Sequence, residues 1–187
     1  MRRAAILIMF LASCASAPSP RTMSVQSNPQ EIARLNHAGQ NVVRGRALLS
    51  RGSFARTCAG SDVNLIPDSA YARQLMTRMF GGLNGGLLTT IETAVARPDE
   101  KTRYAVAFKT TRCDGQGYFT FKDVPDGAYY VIANVIWPTA GQVPANWRAG
   151  DLMRRVEVAG GQSREILLWS DTRGRMPQPG KRLVEIL

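Results

Sequence analysis

An all-β sandwich of about seven strands, interrupted by one short helical insertion, is the fold this sequence predicts, and three observations carry the prediction. From Gln40 onward short apolar runs alternate with turn residues, the pattern of a sandwich or barrel. The run from Asp114 to Val135 reads turn, strand, turn, strand. One stretch, Ala70 to Phe80, changes to helical spacing.

The chain opens MRRAAILIMFLASC, with Arg2 and Arg3 ahead of a small or apolar run from Ala4 to Ala12. That run is too short for a membrane-spanning helix, which needs about 20 residues, and it suits the apolar region of an export signal. Residues 1–13 are therefore expected to be removed. Leu11, Ala12, Ser13 and Cys14 resemble the lipobox of bacterial lipoproteins, so the Cys14 thiol is expected to carry diacylglycerol. An acyl chain contributes roughly 0.8 kcal/mol per buried methylene, and several chains make a stable anchor. The alternative is an ordinary signal peptide with an incidental cysteine. Twin-arginine export lacks its flanking residues, so a plain basic start is the better reading. Ala15 after the cysteine, in place of aspartate, points to the outer membrane, facing the periplasm.

Cleavage before Cys14 leaves 174 of the 187 residues, 13 fewer, enough for one domain. Residues 14–40 read as the lipidated terminus and a flexible tether rich in Ser, Pro, Asn, Gln and Ala, with a weak helix possible over Pro29 to Leu35. Residues 41–169 form the domain and 170–187 a tail, in which Lys181 to Leu187 either adds a strand or stays disordered. The formal charge is +10, or +8 without Arg2 and Arg3. Arginine dominates, and no basic run interleaved with aromatics marks a nucleic-acid binder. Arg21, Arg34, Arg44, Arg46, Arg51 and Arg56 against Glu31 would favour anionic lipid headgroups; a solvated basic surface is the alternative.

With Cys14 acylated, Cys58 and Cys113 are left as an even pair in an oxidising compartment, where disulfides persist. Two buried free thiols are the alternative. Each cysteine sits near a strand end, and strand ends gather at the rims of a sandwich. A shared rim would let the bridge tie the start of the helical insertion to the hairpin that follows Cys113.

The expected strands are Asn41 to Leu49, Asp62 to Ile66, Arg103 to Thr110, Tyr118 to Lys122, Ala128 to Trp137, Leu152 to Val158 and Ser163 to Leu168. In Ala70 to Phe80, Tyr71, Leu75, Met76 and Met79 share one helical face. The GGLNGG run from Gly81 to Gly86 ends the helix and reads as a mobile loop. Along Ala128 to Trp137, Tyr129 and Val131 face opposite to Tyr130 and Ile132.

The run DGQGYFTFKDVPDGAYYVIANV contains D-x-x-G-x-F-x-F followed by V-P-x-G-x-Y, and it resembles the carboxypeptidase regulatory-like family. The VRGRA segment at Val43 to Ala47 suits that family's first strand. The resemblance implies a transthyretin-like (prealbumin-like) β-sandwich over roughly Gln40 to Trp169, with Phe119, Phe121, Pro125 and Tyr129 as structural residues. It implies no peptidase activity. The Ala70 to Pro98 insertion and the cysteine pair depart from it.

His37 is the single histidine, which leaves zinc proteolysis and Ser-His or Cys-His catalysis without their parts. No catalytic residue, metal or cofactor is expected. Asp114, Asp123 and Asp126 could suggest calcium, but turn aspartates commonly accept backbone amides. Trp137, Trp147 and Trp169 with Tyr129 and Tyr130 could make a sugar-stacking platform; covering the ends of the sandwich is the plainer role. Trp147, in a Pro- and Gly-containing loop, is the best aromatic candidate for ligand contact. The expected function is a membrane-anchored, non-enzymatic interaction domain binding an envelope protein or supporting an envelope assembly, with a carbohydrate- or peptidoglycan-binding module as the alternative.

Overall fold

The computed structural model describes residues 37–51, 54–89, 109–138 and 147–171. They form nine strands, β1 Asn41–Arg51, β2 Phe54–Thr57, β3 Asp62–Pro67, β4 Gly85–Thr89, β5 Lys109–Arg112, β6 Tyr118–Val124, β7 Gly127–Pro138, β8 Trp147–Val158 and β9 Ser163–Asp171, with one helix, α1, Ala70–Phe80, between β3 and β4. The fold class is the expected β-sandwich. Two strands were not legible in the sequence. β2 is only four residues long. β4 begins inside the glycine run, so Gly85 and Gly86 are strand residues paired with Arg154 and Met153 rather than part of a mobile loop. The strand expected over Arg103 to Thr110 is described as Lys109–Arg112; residues 103–108, like 1–36, 90–102 and 172–187, lie outside the described residues.

In the first sheet β1 is central. One of its edges pairs in parallel with β9, while the other is shared by β6 along its first half and β2 along its second. Gly45 lies where β1 passes under Phe119: an added Cβ would come within 2.5 Å of the ring. The second sheet is antiparallel throughout, in the order β4-β8-β7-β3-β5. Alternation along β7 decides what each face of this sheet meets. Tyr129, Val131, Ala133, Val135 and Trp137 point inward, joining Val43, Ala47 and Leu49 of β1, Phe119 and Phe121 of β6 and Leu168 of β9 in the sandwich core.

Tyr130 and Ile132 point outward, where α1 covers them. Tyr71, Ala72, Leu75, Met76 and Met79 of the helix pack on Ile66, Leu88, Tyr130, Ile132 and Met153, a second apolar core on the far side of the same sheet. Ser69 caps α1 by accepting the Ala72 N–H at 3.0 Å, and Gly81, at φ 71°, ends it with its N–H on the Thr77 carbonyl. Asp68 fixes the helix to the sheet. Its buried carboxylate accepts Arg73 Nε and Arg155 Nε at 2.7 Å each and the Tyr130 hydroxyl at 3.1 Å. Burial alone would raise this carboxyl, but the hydrogen bonds from Arg73, Arg155 and Tyr130 outweigh it and hold it below its ordinary range. The same burial, with Asp68 beside it, pushes Tyr130 up to about 12.

Candidate functional site: a polar depression on the second sheet

Because α1 is short, it covers only one end of the second sheet's outer face. At the other end the outward positions are occupied by Asp62 and Asn64 of β3, Thr110 and Arg112 of β5, Ile132, Asn134 and Ile136 of β7 and Asp151 of β8. The strand register brings them together: Asn64 opposes Thr110 on one side and Ile132 on the other, Asp62 opposes Arg112, and Asn134 opposes Asp151. With Gly60 and Ser61 they line a depression of about 520 Å³, within the range of small-molecule sites.

Its chemistry is unusual for a sheet face. Asn64 and Asp151 are buried, 6% and 4% exposed, whereas Ile136 beside them is 48% exposed. Thr110 Oγ1 donates to Asn64 Oδ1 at 2.9 Å, and Asn134 Nδ2 donates to Asp151 Oδ1 at 2.9 Å. Each asparagine thereby engages one end of its amide. The Asn64 Nδ2 donors and the Asn134 Oδ1 acceptor keep their hydrogen-bonding capacity. Neither group is among the fully buried polar atoms that lack a partner, so both stay in reach of solvent and of a ligand's polar groups. Arg112 and Asp62, an exposed pair at 3.4 Å, add one charge of each sign at the margin.

The cysteine pair is part of this site's frame. Cys58 and Cys113 form a disulfide with their α-carbons 5.8 Å apart, both buried. The chain passes from the first sheet to the second at Cys58, between β2 and β3, and back again at Cys113, between β5 and β6. The bridge joins these two crossings. Gly60 N–H donates to the Cys113 carbonyl and Cys113 N–H to the Ser61 carbonyl, so Gly60, Ser61 and Arg112 at the depression's margin stand within three residues of the bridge. The expected tie to the helical insertion is not what forms, since α1 packs on the opposite face of the second sheet from the core that holds the sulfurs.

The aromatic platform is not assembled. Trp137 and Tyr129 are buried in the sandwich core and Tyr130 lies under α1, while Trp169 opposes Leu48 in the first sheet. Trp147 is the first residue of β8, its backbone paired with Pro138, rather than a loop residue. The turn aspartates hold the chain: Asp114 Oδ1 accepts the Gln116 and Tyr118 amides, and Asp126 Oδ1 accepts Asn41 Nδ2 and the Gly160 amide. Among the described residues no three His, Cys, Asp or Glu side chains gather as a metal site requires. His37 stands exposed ahead of β1, and Cys14 lies outside the described residues. Sequence reasoning missed the depression. The available signal was Asn134 between Ile132 and Ile136, a polar residue at an outward position of an otherwise apolar strand.

No family model matches the chain, and no curated protein matches it. Among solved structures, a provisionally assigned carbohydrate binding protein of Pseudomonas aeruginosa matches 78% of this chain and 99% of its own at 22% identity, with a TM-score of 0.61. The minor pilin of Streptococcus agalactiae matches 78% of this chain and 49% of its own at 13% identity, with a TM-score of 0.36. The first of these likenesses shows the fold, a β-sandwich, that the chain shares.

Proposed function

We propose that this protein is a non-enzymatic saccharide-binding lipoprotein of the bacterial envelope, anchored through Cys14 to the outer membrane on its periplasmic side, on a sandwich of the carboxypeptidase regulatory-like kind. One observation carries the binding role: the depression on the second sheet, where the nearly buried Asn64 keeps amide donors unengaged beside the Asn134 acceptor and exposed Ile136. Saccharides present hydroxyls that donate and accept together, with patches of C–H between them. Side-chain amides and a margin carrying both charge signs match that surface better than an apolar cleft would. The carbohydrate binding assigned to the Pseudomonas protein, which shares the fold over nearly its whole length, agrees with this reading. A glycan within the envelope is the natural ligand for a tethered module.

An envelope protein partner is the second reading. β9 favours it, since among the described residues this nine-residue strand ladders with β1 alone, an arrangement that strand addition can extend. The discriminating experiment is nuclear magnetic resonance of the mature protein titrated with soluble glycan-strand fragments. Shifts confined to Asn64, Thr110, Asn134, Ile136 and Asp151 support the saccharide reading. No shift at millimolar fragment, together with cross-links from β9 to a discrete envelope protein, rejects it.

A further inference from the structure

We infer that the depression recognises the acetamido group of an N-acetylated amino sugar. The inference rests on the saccharide reading above and narrows it to one ligand class.

The argument starts from register. Asn64 is the Cα partner of Ile132, and Asn134 lies two residues further along β7. Asn64 and Asn134 are therefore diagonal neighbours on one face, roughly 7–8 Å apart. Their unengaged groups are of opposite kind, donors on Asn64 Nδ2 and an acceptor on Asn134 Oδ1. A planar trans amide carries its acceptor and its donor on opposite edges. To be held on both edges by hydrogen bonds of about 2.9 Å, it needs a donor and an acceptor on one face of neighbouring strands, which is where the register puts Asn64 and Asn134. The C=O would accept from Asn64 and the N–H would donate to Asn134.

The third element of an acetamido group is its methyl, which needs apolar contact. Ile132 and Ile136 flank Asn134 on the same face, the first 6% exposed and the second 48%. Donor, acceptor and apolar flank are thus arranged on two adjacent strands in the order an acetamido group presents their complements. Other sugar substituents match less of it. An ammonium has only donors and leaves Asn64 unanswered, and a lone hydroxyl leaves Ile136 in water. Asn64 is more than nine-tenths buried, so it is built into the sheet and its position does not depend on the ligand.

Calorimetric titration of the mature protein with three trisaccharides of matched length tests this: tri-N-acetylchitotriose, its de-N-acetylated counterpart and cellotriose. The acetylated sugar is expected to bind about tenfold or more tighter than either, the change that follows from losing one buried hydrogen bond. Asn64→Asp keeps the acceptor toward Thr110 but removes the donors, and is expected to abolish that preference with the protein still folded by circular dichroism. Asn134→Leu, removing the acceptor, should weaken the acetylated ligand by a similar factor. Equal affinity for all three sugars, or tighter binding of the cationic one, overturns the acetamido assignment and leaves the saccharide reading standing. Absence of binding by all three and by mixed glycan fragments overturns both.

Discussion

Breaking the Cys58–Cys113 bridge is the perturbation whose size follows most directly from the structure. The two residues are 55 apart in sequence, and in the chain-entropy model a loop of that length restricts the unfolded state by about 4 kcal/mol. For a domain of this size each kcal/mol moves the melting temperature by roughly 3–4 °C, so reduction, or the double substitution Cys58→Ala and Cys113→Ala, is expected to lower Tm by about 12–16 °C. The loss has a location as well as a size. Both crossings between sheets lose their tie, and with them the Gly60–Asp62 and Arg112 margin of the depression. Hydrogen exchange is expected to quicken there first, while α1, held by its own apolar core and by Asp68, keeps its protection. Melts with and without reductant, paired with exchange measured residue by residue, read both effects. An unchanged melting temperature, or two free thiols in protein taken from the envelope, would refute the structural role; early loosening of α1 would refute its placement.

Two further perturbations test other parts of the molecule. Asp68→Asn removes a buried carboxylate from two arginines and a tyrosine, and is expected to cost about 2 kcal/mol, read as a lower denaturant midpoint. In the parent protein Asp68 titrates below its unfolded value, so its contribution is present above about pH 4 and is lost as pH falls through the folded value. Tyr130 is the converse case: raised to about 12, its contribution is complete below pH 10 and is lost as pH rises toward 12. A variant with an unaltered acid limb in its pH–stability curve would show that Asp68 does not set it. Cys14→Ser, finally, is expected to leave an unprocessed precursor, because a serine oxygen does not take the thioether lipid; mass spectrometry of the wild-type mature terminus showing an unacylated start at Ala15 or Ala17 would sink the anchor.

What the sequence disclosed and what it hid divide along a physical line. Local rules are written in neighbouring residues: the three- and four-residue spacing of Tyr71, Leu75, Met76 and Met79 places α1 over Ala70–Phe80, and the period-two pattern of β7 separates Tyr129 from Tyr130 correctly. The cysteine pairing was legible because it needs only parity and an oxidising compartment. β4 was hidden because Gly85 and Gly86 have turn propensity, and pairing with Met153 and Arg154 overrides it. The depression was hidden for a deeper reason. Its polar residues come from β3, β5, β7 and β8, each looking like an ordinary strand residue in isolation, and only register gathers them. The aromatic side chains have a different role, for Trp137 and Tyr129 fill the core. A strand with both faces in contact with protein has no need of asparagine at an outward position. Asn134, between Ile132 and Ile136, marks where the cover of α1 stops, and the length of that helix, eleven residues, decides how much of the sheet is left uncovered.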